Sequence, residues 1–393
     1  MDVPPLWSSD SLIGDLTSDE VRRHPSTREV QTPADLRNVL RGHLPLSGVR
    51  IQDLDLHPYE QLLLGRTDLE GLVVLGGHLS DDLARHLRLH GALVFPSVTG
   101  APINPYRSRL YQADDLYAGI FARGYRTTPD ARAYAWSQDA DLARDTFVTL
   151  LRAIHDDSMT DALTELLQGH TVVGVMGGHA LERGTQEYAA AATMGHALAD
   201  AGRVVLTGGG PGAMEAANLG AFVGDHNRLA PALRRLSTVP SFRPSIDAWA
   251  EVALEVREDL LLARGRDGTT GVRSVGIPTW FYGHEPPNVF CGGIAKYFSN
   301  ALREDGLLAR CTGGLVVLPG AAGTVQEIFQ AVTPLYYAAE GAPVPPLVLV
   351  GHEHWTEVLP VWPALRALGL YRPFGDAVHL VDTVEEAAAI LLS

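Results

Sequence analysis

From about residue 170 onward the chain repeats one unit: a short apolar, β-branched run, a glycine-rich turn, then a helix-like segment. The runs are Val172–Met176, Val204–Thr207, Val272–Ile277, Leu315–Leu318, Leu347–Val350 and Val378–Val381. They are nearly unalternating, as strands buried on both faces should be. Between the first two lies "ERGTQEYAAAATMGHALADAG", Ala-rich, with Gly202 placed as a C-terminal stop. Strands alternating with helices imply an α/β fold over residues 169–393, a Rossmann-like doubly wound parallel sheet with helices on both faces. In such sheets ligands sit beyond the carboxyl ends of the strands.

The first 168 residues read as a separate N-terminal region, α/β or mixed, whose role the sequence does not define. Residues 1–60 are rich in Pro, Asp and Arg with few patterned runs. Residues 69–96, "LEGLVVLGGHLSDDLARHLRLHGALVFP", read as strand, helix, strand. Their Gly76-Gly77-His78 echoes Gly177-Gly178-His179, which would fit a degenerate repeat, although one tripeptide after a strand is ordinary coincidence. A Pro-rich loop follows, then helical residues from Asp139 to Gln168, and the boundary is placed near Gln168.

A chain of 393 residues suffices for two domains, and 46% apolar with 20% charged residues marks it as globular. A formal net charge of −15 argues against nucleic acid or an anionic membrane surface as partner. An anionic small ligand would need local donors. Cys291 and Cys311 are the only cysteines, so no disulfide framework or Cys-based zinc site follows, and a reducing cytoplasm is expected. The opening "MDVPPLWSSDSLIGDL" reads as neither signal peptide nor anchor, and no window approaches the roughly 20 apolar residues of a membrane span.

Three glycine-rich turns follow three of the strands. The first holds Gly177 and Gly178. The second, "GGGPGAMEAANLGA", holds Gly208, Gly209, Gly210 and Gly212, then Met214 and Glu215 at the opening of a helix. The third, "PGAAGTVQE", holds Gly320, Ala321, Gly323 and Thr324. Small residues let a ligand approach the backbone, and free N–H groups at helix starts suit an anion, so together the turns form a candidate phosphate and nucleotide site. The second turn also fits the loose dinucleotide fingerprint through Gly208, Gly210 and Ala213, but no acid closes the next strand. Thr324 and Glu327 fit the S/T-x-x-E capping box, so Glu327 reads either as a cap or as a working carboxylate. Residues 292–314 read as one helix, which would put Lys296, Asn300 and Arg303 on a shared face, either a solvated stripe or a cationic face over the ligand. His352-Glu353-His354 lacks an evident third metal ligand, and G-x-S-x-G and P-loop signatures are absent.

The two motifs "GGGPGAMEAANLGA" and "PGAAGTVQE" resemble the paired signatures of the LOG family, formerly termed lysine decarboxylases. "GGHALERGTQEY" and "EPPN" (285–288) look most similar to the bacterial pyrimidine/purine nucleotide 5′-monophosphate nucleosidases within it. The resemblance covers about residues 170–350. It implies hydrolysis of the N-glycosidic bond of nucleoside 5′-monophosphates to free base and ribose 5-phosphate. It also implies Glu327 and Arg303 as the catalytic pair, supporting roles for Lys296, Asn300, Glu285 and Asn288, a homo-oligomer, and neither cofactor nor metal. Ala321 departs from the pattern, which has glycine there. That departure motivates an alternative, a non-catalytic nucleotide-binding sensor on the same scaffold. A pyridoxal-phosphate decarboxylase is disfavoured because Lys296 is the chain's only lysine.

Overall fold

The computed structural model describes residues 28–42, 45–98, 100–264, 271–281, 285–339 and 341–393. The acidic N-terminal stretch read above lies outside them. Two compact units emerge, Met1–Thr99 and Gly100–Ser393, each with its own buried apolar cluster.

In the first unit four short strands form a parallel sheet in sequential order: β1 (Arg28–Val30), β2 (Val49–Gln52), β3 (Val73–Leu75) and β4 (Leu93–Phe95). Helices α1 (Pro33–Arg41), α2 (Glu60–Leu64) and α3 (Asp81–Leu89) connect them. The strand–helix–strand reading of 69–96 corresponds to β3, α3 and β4. β1 and β2 were hidden because they are three and four residues long, too short to show periodicity. Sequential strand order has no reversal, and so no crevice of the kind that receives ligands in doubly wound sheets.

Ahead of its sheet the second unit carries, after two one-turn helices, helices α4 (Pro129–Gln138) and α5 (Thr146–Leu167). The sequence assigned these to the N-terminal region. Leu151, Met159 and Leu163 of α5 are buried, with Met159 and Leu163 in the same core as the large sheet, and the division falls at Thr99 rather than near Gln168. Seven parallel strands then follow. They are β5 (Val172–Met176), β6 (Val204–Thr207), β7 (Ser274–Gly276), β8 (Gly293–Ile294), β9 (Leu315–Val317), β10 (Leu347–Val350) and β11 (Val378–Val381). β8, only two residues long, is the strand the sequence did not show. Their spatial order is β11-β10-β9-β5-β6-β7-β8. Strands β5, β6, β7, β9 and β10 are buried along their whole length, which is why they do not alternate.

Between them run α6 (Gln186–Asp200), α7 (Ala213–Val223), α8 (Leu229–Leu236), α9 (Ile246–Arg264), α10 (Asn300–Ala309), α11 (Ala322–Tyr336) and α12 (Val361–Gly369), and α13 (Val384–Leu392) follows β11. The chain winds outward from β5 to β8, returns, and builds the other half from β9. The topological switch point therefore lies between β5 and β9. Among the described residues no helix is long and apolar enough to cross a membrane.

The GGH echo does not mark a structural repeat. Gly76 and Gly77 have left-handed φ of 62° and 76°, whereas Gly177 and Gly178 do not, and the two sheets differ in strand order.

Candidate functional site

The register pairs Met176 with Val317, so β5 and β9 end level with each other. Backbone bonds continue past the strands: Leu318 N donates to Met176 O at 2.9 Å and Gly178 N to Pro319 O at 3.1 Å. At the start of α7, Ala213 N donates to Gly178 O at 3.2 Å. These three bonds bring all three glycine turns together at the switch point. Gly212 makes the approach possible. Its φ of +76° is left-handed, and a Cβ there would collide with the backbone of Gly178 and His179.

The second turn is braced from behind. Asn288 N donates to Gly209 O at 2.8 Å, and Asn288 Nδ2 donates to Gly210 O at 3.1 Å and to Asn218 Oδ1 at 3.0 Å. Asn288 is fully buried, so its supporting role is to shape the turn. Met214 lies over the turn, its Sδ 2.8 Å from where a Cβ on Gly208 would stand.

The third turn differs from expectation in one respect. Helix α11 begins at Ala322 with Ala321 as N-cap, so Thr324 is already inside its first turn and forms no capping box with Glu327. The i, i+3 spacing instead stacks Thr324 and Glu327 on one face. Among the described residues no acceptor takes the N–H of Ala322, Gly323 or Thr324, the orphan donors of a 15-residue helix with its positive dipole end at the turn. Ala321 has φ −118° and ψ −150°, extended backbone that any residue adopts, so alanine causes no strain there.

Arg303 reaches Glu327 from α10. Its Nε donates to Ile277 O at 2.9 Å, Nη1 lies 3.3 Å from Glu304 Oε1, and Nη2 lies 3.9 Å from Glu327 Oε1. Glu304, the next residue, also reaches Gln326, whose Nε2 donates to its Oε2 at 2.5 Å. A Cβ on Gly208 would stand 2.6 Å from Arg303 Nη2, so the bare glycine makes room for the guanidinium. The Glu327 side chain is only 13% exposed. Burial pushes its carboxyl up to about 7; Arg303 opposes the shift, while Glu304 and Glu285 add to it.

Glu285 enters from the β7–β8 connection, with Oε1 3.1 Å from His179 Nδ1. The two side chains are 37% and 42% exposed, so this pair faces open space.

Three expectations are corrected. Lys296, Asn300 and Arg303 do not share a helical face: α10 starts at Asn300, and Lys296 precedes it in the connection from β8. Gly292 and Gly293 break the helical reading, and Gly293–Ile294 pairs as strand instead. Lys296 is fully buried, with Nζ 2.7 Å from Asp130 Oδ1 and 5.2 Å from the Trp280 ring centroid; burial pushes its pKa down. Asn300 occupies the first position of α10, with its Oδ1 buried and unpartnered among the described residues. Glu215 is not available to a ligand. It is fully buried, ion-paired to Arg183 at 2.5 Å, and accepts from Tyr188 Oη at 2.9 Å.

The sequence reading missed Asp156 and Asp130, both in helices assigned to the other region. Asp156 on α5 accepts from Phe298 N at 3.0 Å and Ser299 N at 2.8 Å, which anchors the start of α10 and hence Arg303. His155 and Tyr111 back it up, with His155 Nδ1 3.1 Å from Asp156 Oδ1 and Tyr111 Oη 2.8 Å from His155 Nε2. One signal was present: Asp156 shares its helical phase with the buried Met159 and Leu163, an acid on an apolar stripe.

Glycine turns gathered at the switch point of a parallel doubly wound sheet define a Rossmann-like α/β protein. A model of the SLOG cluster4 family matches residues 170–225, from β5 through α7, and stops before Arg303 and Glu327. Among solved structures, the chain is similar to the molybdenum cofactor binding protein of the phototrophic bacterium Rippkaea orientalis. That likeness has 14% identity and a TM-score of 0.34, covering 57% of this chain and 96% of the other. It is also similar to the molybdenum cofactor carrier protein of Chlamydomonas reinhardtii, with 17% identity and a TM-score of 0.32 over 56% of this chain and 94% of the other. No curated protein sequence matches significantly.

Proposed function

We propose that the chain hydrolyses the N-glycosidic bond of nucleoside 5′-monophosphates, releasing the free base and ribose 5-phosphate. One observation carries this reading: the mostly buried Glu327, its proton affinity raised to near neutrality, stands beside Arg303 one helical turn behind a free helix N-terminus. The N–H groups of Ala322, Gly323 and Thr324 hold the 5′-phosphate. The phosphate anchors the sugar with C1′ near Glu327. Departure of the base builds positive charge at C1′, as in glycoside hydrolysis, and the ionised carboxylate stabilises that charge and takes a proton from the attacking water. A pKa near 7 suits a general base at neutral pH. Arg303 supplies the fixed positive charge that holds Glu327 and the phosphate-bearing sugar in register. The test is incubation with AMP, GMP, CMP and UMP and chromatographic detection of free base. Glu327→Gln is the control, and tight binding without base release would replace this reading with that of a nucleotide sensor.

A further inference from the structure

The reaction proposed above leaves one proton unassigned. A departing nucleobase is a poor leaving group unless it is protonated, and Glu327 is occupied with the water. Arg303 does not release a proton. Lys296 is fully buried against Asp130. The Nε2 of His354 is taken by Gly320 O at 3.1 Å. His179 is free of these constraints. Glu285 engages its Nδ1 at 3.1 Å, and among the described residues nothing partners its Nε2. A carboxylate on one ring nitrogen orients an imidazole and leaves the other nitrogen to exchange a proton with a substrate.

The place is right as well. The His179 backbone packs on Gly212, the N-cap of α7, and Glu285 Oε2 lies 3.2 Å from where a Cβ on Gly210 would stand. His179 therefore borders the second turn. Glu285 also lies near enough to Glu327 to act on it electrostatically.

We propose that His179, oriented by Glu285, is the proton donor to the departing base; this rests on the nucleosidase reading. In the step, the C1′–N bond breaks and its electron pair goes to the base, which takes the Nε2 proton of the His179 imidazolium. Water oxygen bonds to C1′, and the water's proton passes to the Glu327 carboxylate. Exchange with solvent then reprotonates His179 and deprotonates Glu327.

The test compares AMP and CMP with 4-nitrophenyl β-ribofuranoside 5-phosphate, whose phenolate departs without a proton, using the parent, His179→Gln and Glu285→Gln. His179→Gln is expected to slow base release from AMP and CMP by roughly 10²–10⁴-fold, the usual worth of a general acid, and to slow nitrophenolate release far less. Glu285→Gln is expected to show the same selectivity with a smaller loss. Nitrophenolate release also reports that the variant is folded. Equal slowing on both substrate types, or no slowing on either, overturns the assignment of His179 while leaving the nucleosidase reading intact. A parent that releases no base from any monophosphate overturns both.

Discussion

Arg303 Nη2 and Glu327 Oε1 stand 3.9 Å apart, too far for a direct hydrogen bond, although both side chains are mostly removed from water. The guanidinium is held back by Ile277 O and Glu304, so it only partly offsets the burial of the carboxylate. The separation leaves Glu327 readily protonated.

That poise predicts a pH profile. If ionised Glu327 is the base, kcat/KM for base release should rise with pH through about 7. Glu327→Gln should lose about 10²-fold or more and lose that limb. A parent profile with no inflection between pH 6 and 8, roughly, would contradict the assigned role.

Stability should follow the same titration with the opposite sign. The folded pKa, about 7, lies above the ordinary 4.5, so the folded state binds the proton more tightly. The contribution is fully present below the unfolded value and is lost as pH rises through the folded one. Glu327→Gln, which stays neutral, should therefore flatten that fall. The gain at pH 8 is of order 3 kcal/mol at most, by urea denaturation at a series of pH values.

Gly208→Ala places a methyl against Arg303 Nη2 and Met214 Sδ, while its backbone is not left-handed. The expected result is a folded protein whose base release falls by about tenfold or more, because a misplacement near 1 Å is felt strongly in catalysis. Circular dichroism and product assays on the same sample check both halves.

Glu215→Ala strands Arg183 in the core without its partner. We expect a loss of about 3–5 kcal/mol in unfolding free energy, the cost of breaking a buried pair from one side. Had Glu215 been a ligand contact, the main effect would fall on nucleotide affinity instead.

Ala321→Gly tests the sensor alternative. Ala321 is exposed and its backbone is extended, so restoring glycine relieves no strain. Base release should change by less than about threefold, within the few tenths to one kcal/mol such a substitution shifts through the unfolded chain. Activity that appears only in the glycine variant would favour the sensor.

Much of the large sheet was legible because its strands are buried on both faces, and continuous runs such as Leu347–Val350 have few other uses. The turn glycines were legible because each turn is a local run of small residues at a strand end, whereas the pairing of Arg303 with Glu327 was expected from the family resemblance and not from spacing. Lys296 was misplaced because a lysine four residues before Asn300 looks helical until Gly293–Ile294 is seen pairing with β7. Glu215 was misread because nothing local tells an exposed acid from one sealed under Arg183, 32 residues away.

The alternation of strand, glycine turn and helix follows from residue type alone, since burial and backbone freedom are local properties. Long-range packing set the strand order that puts the first and third turns together at the switch point. It also decided the assignment of α5 to the unit that holds the large sheet and the place of Arg303 beside Glu327. Those outcomes depend on contacts across long sequence separations, such as Asp156 holding Ser299 from 143 residues away, and no local pattern encodes them.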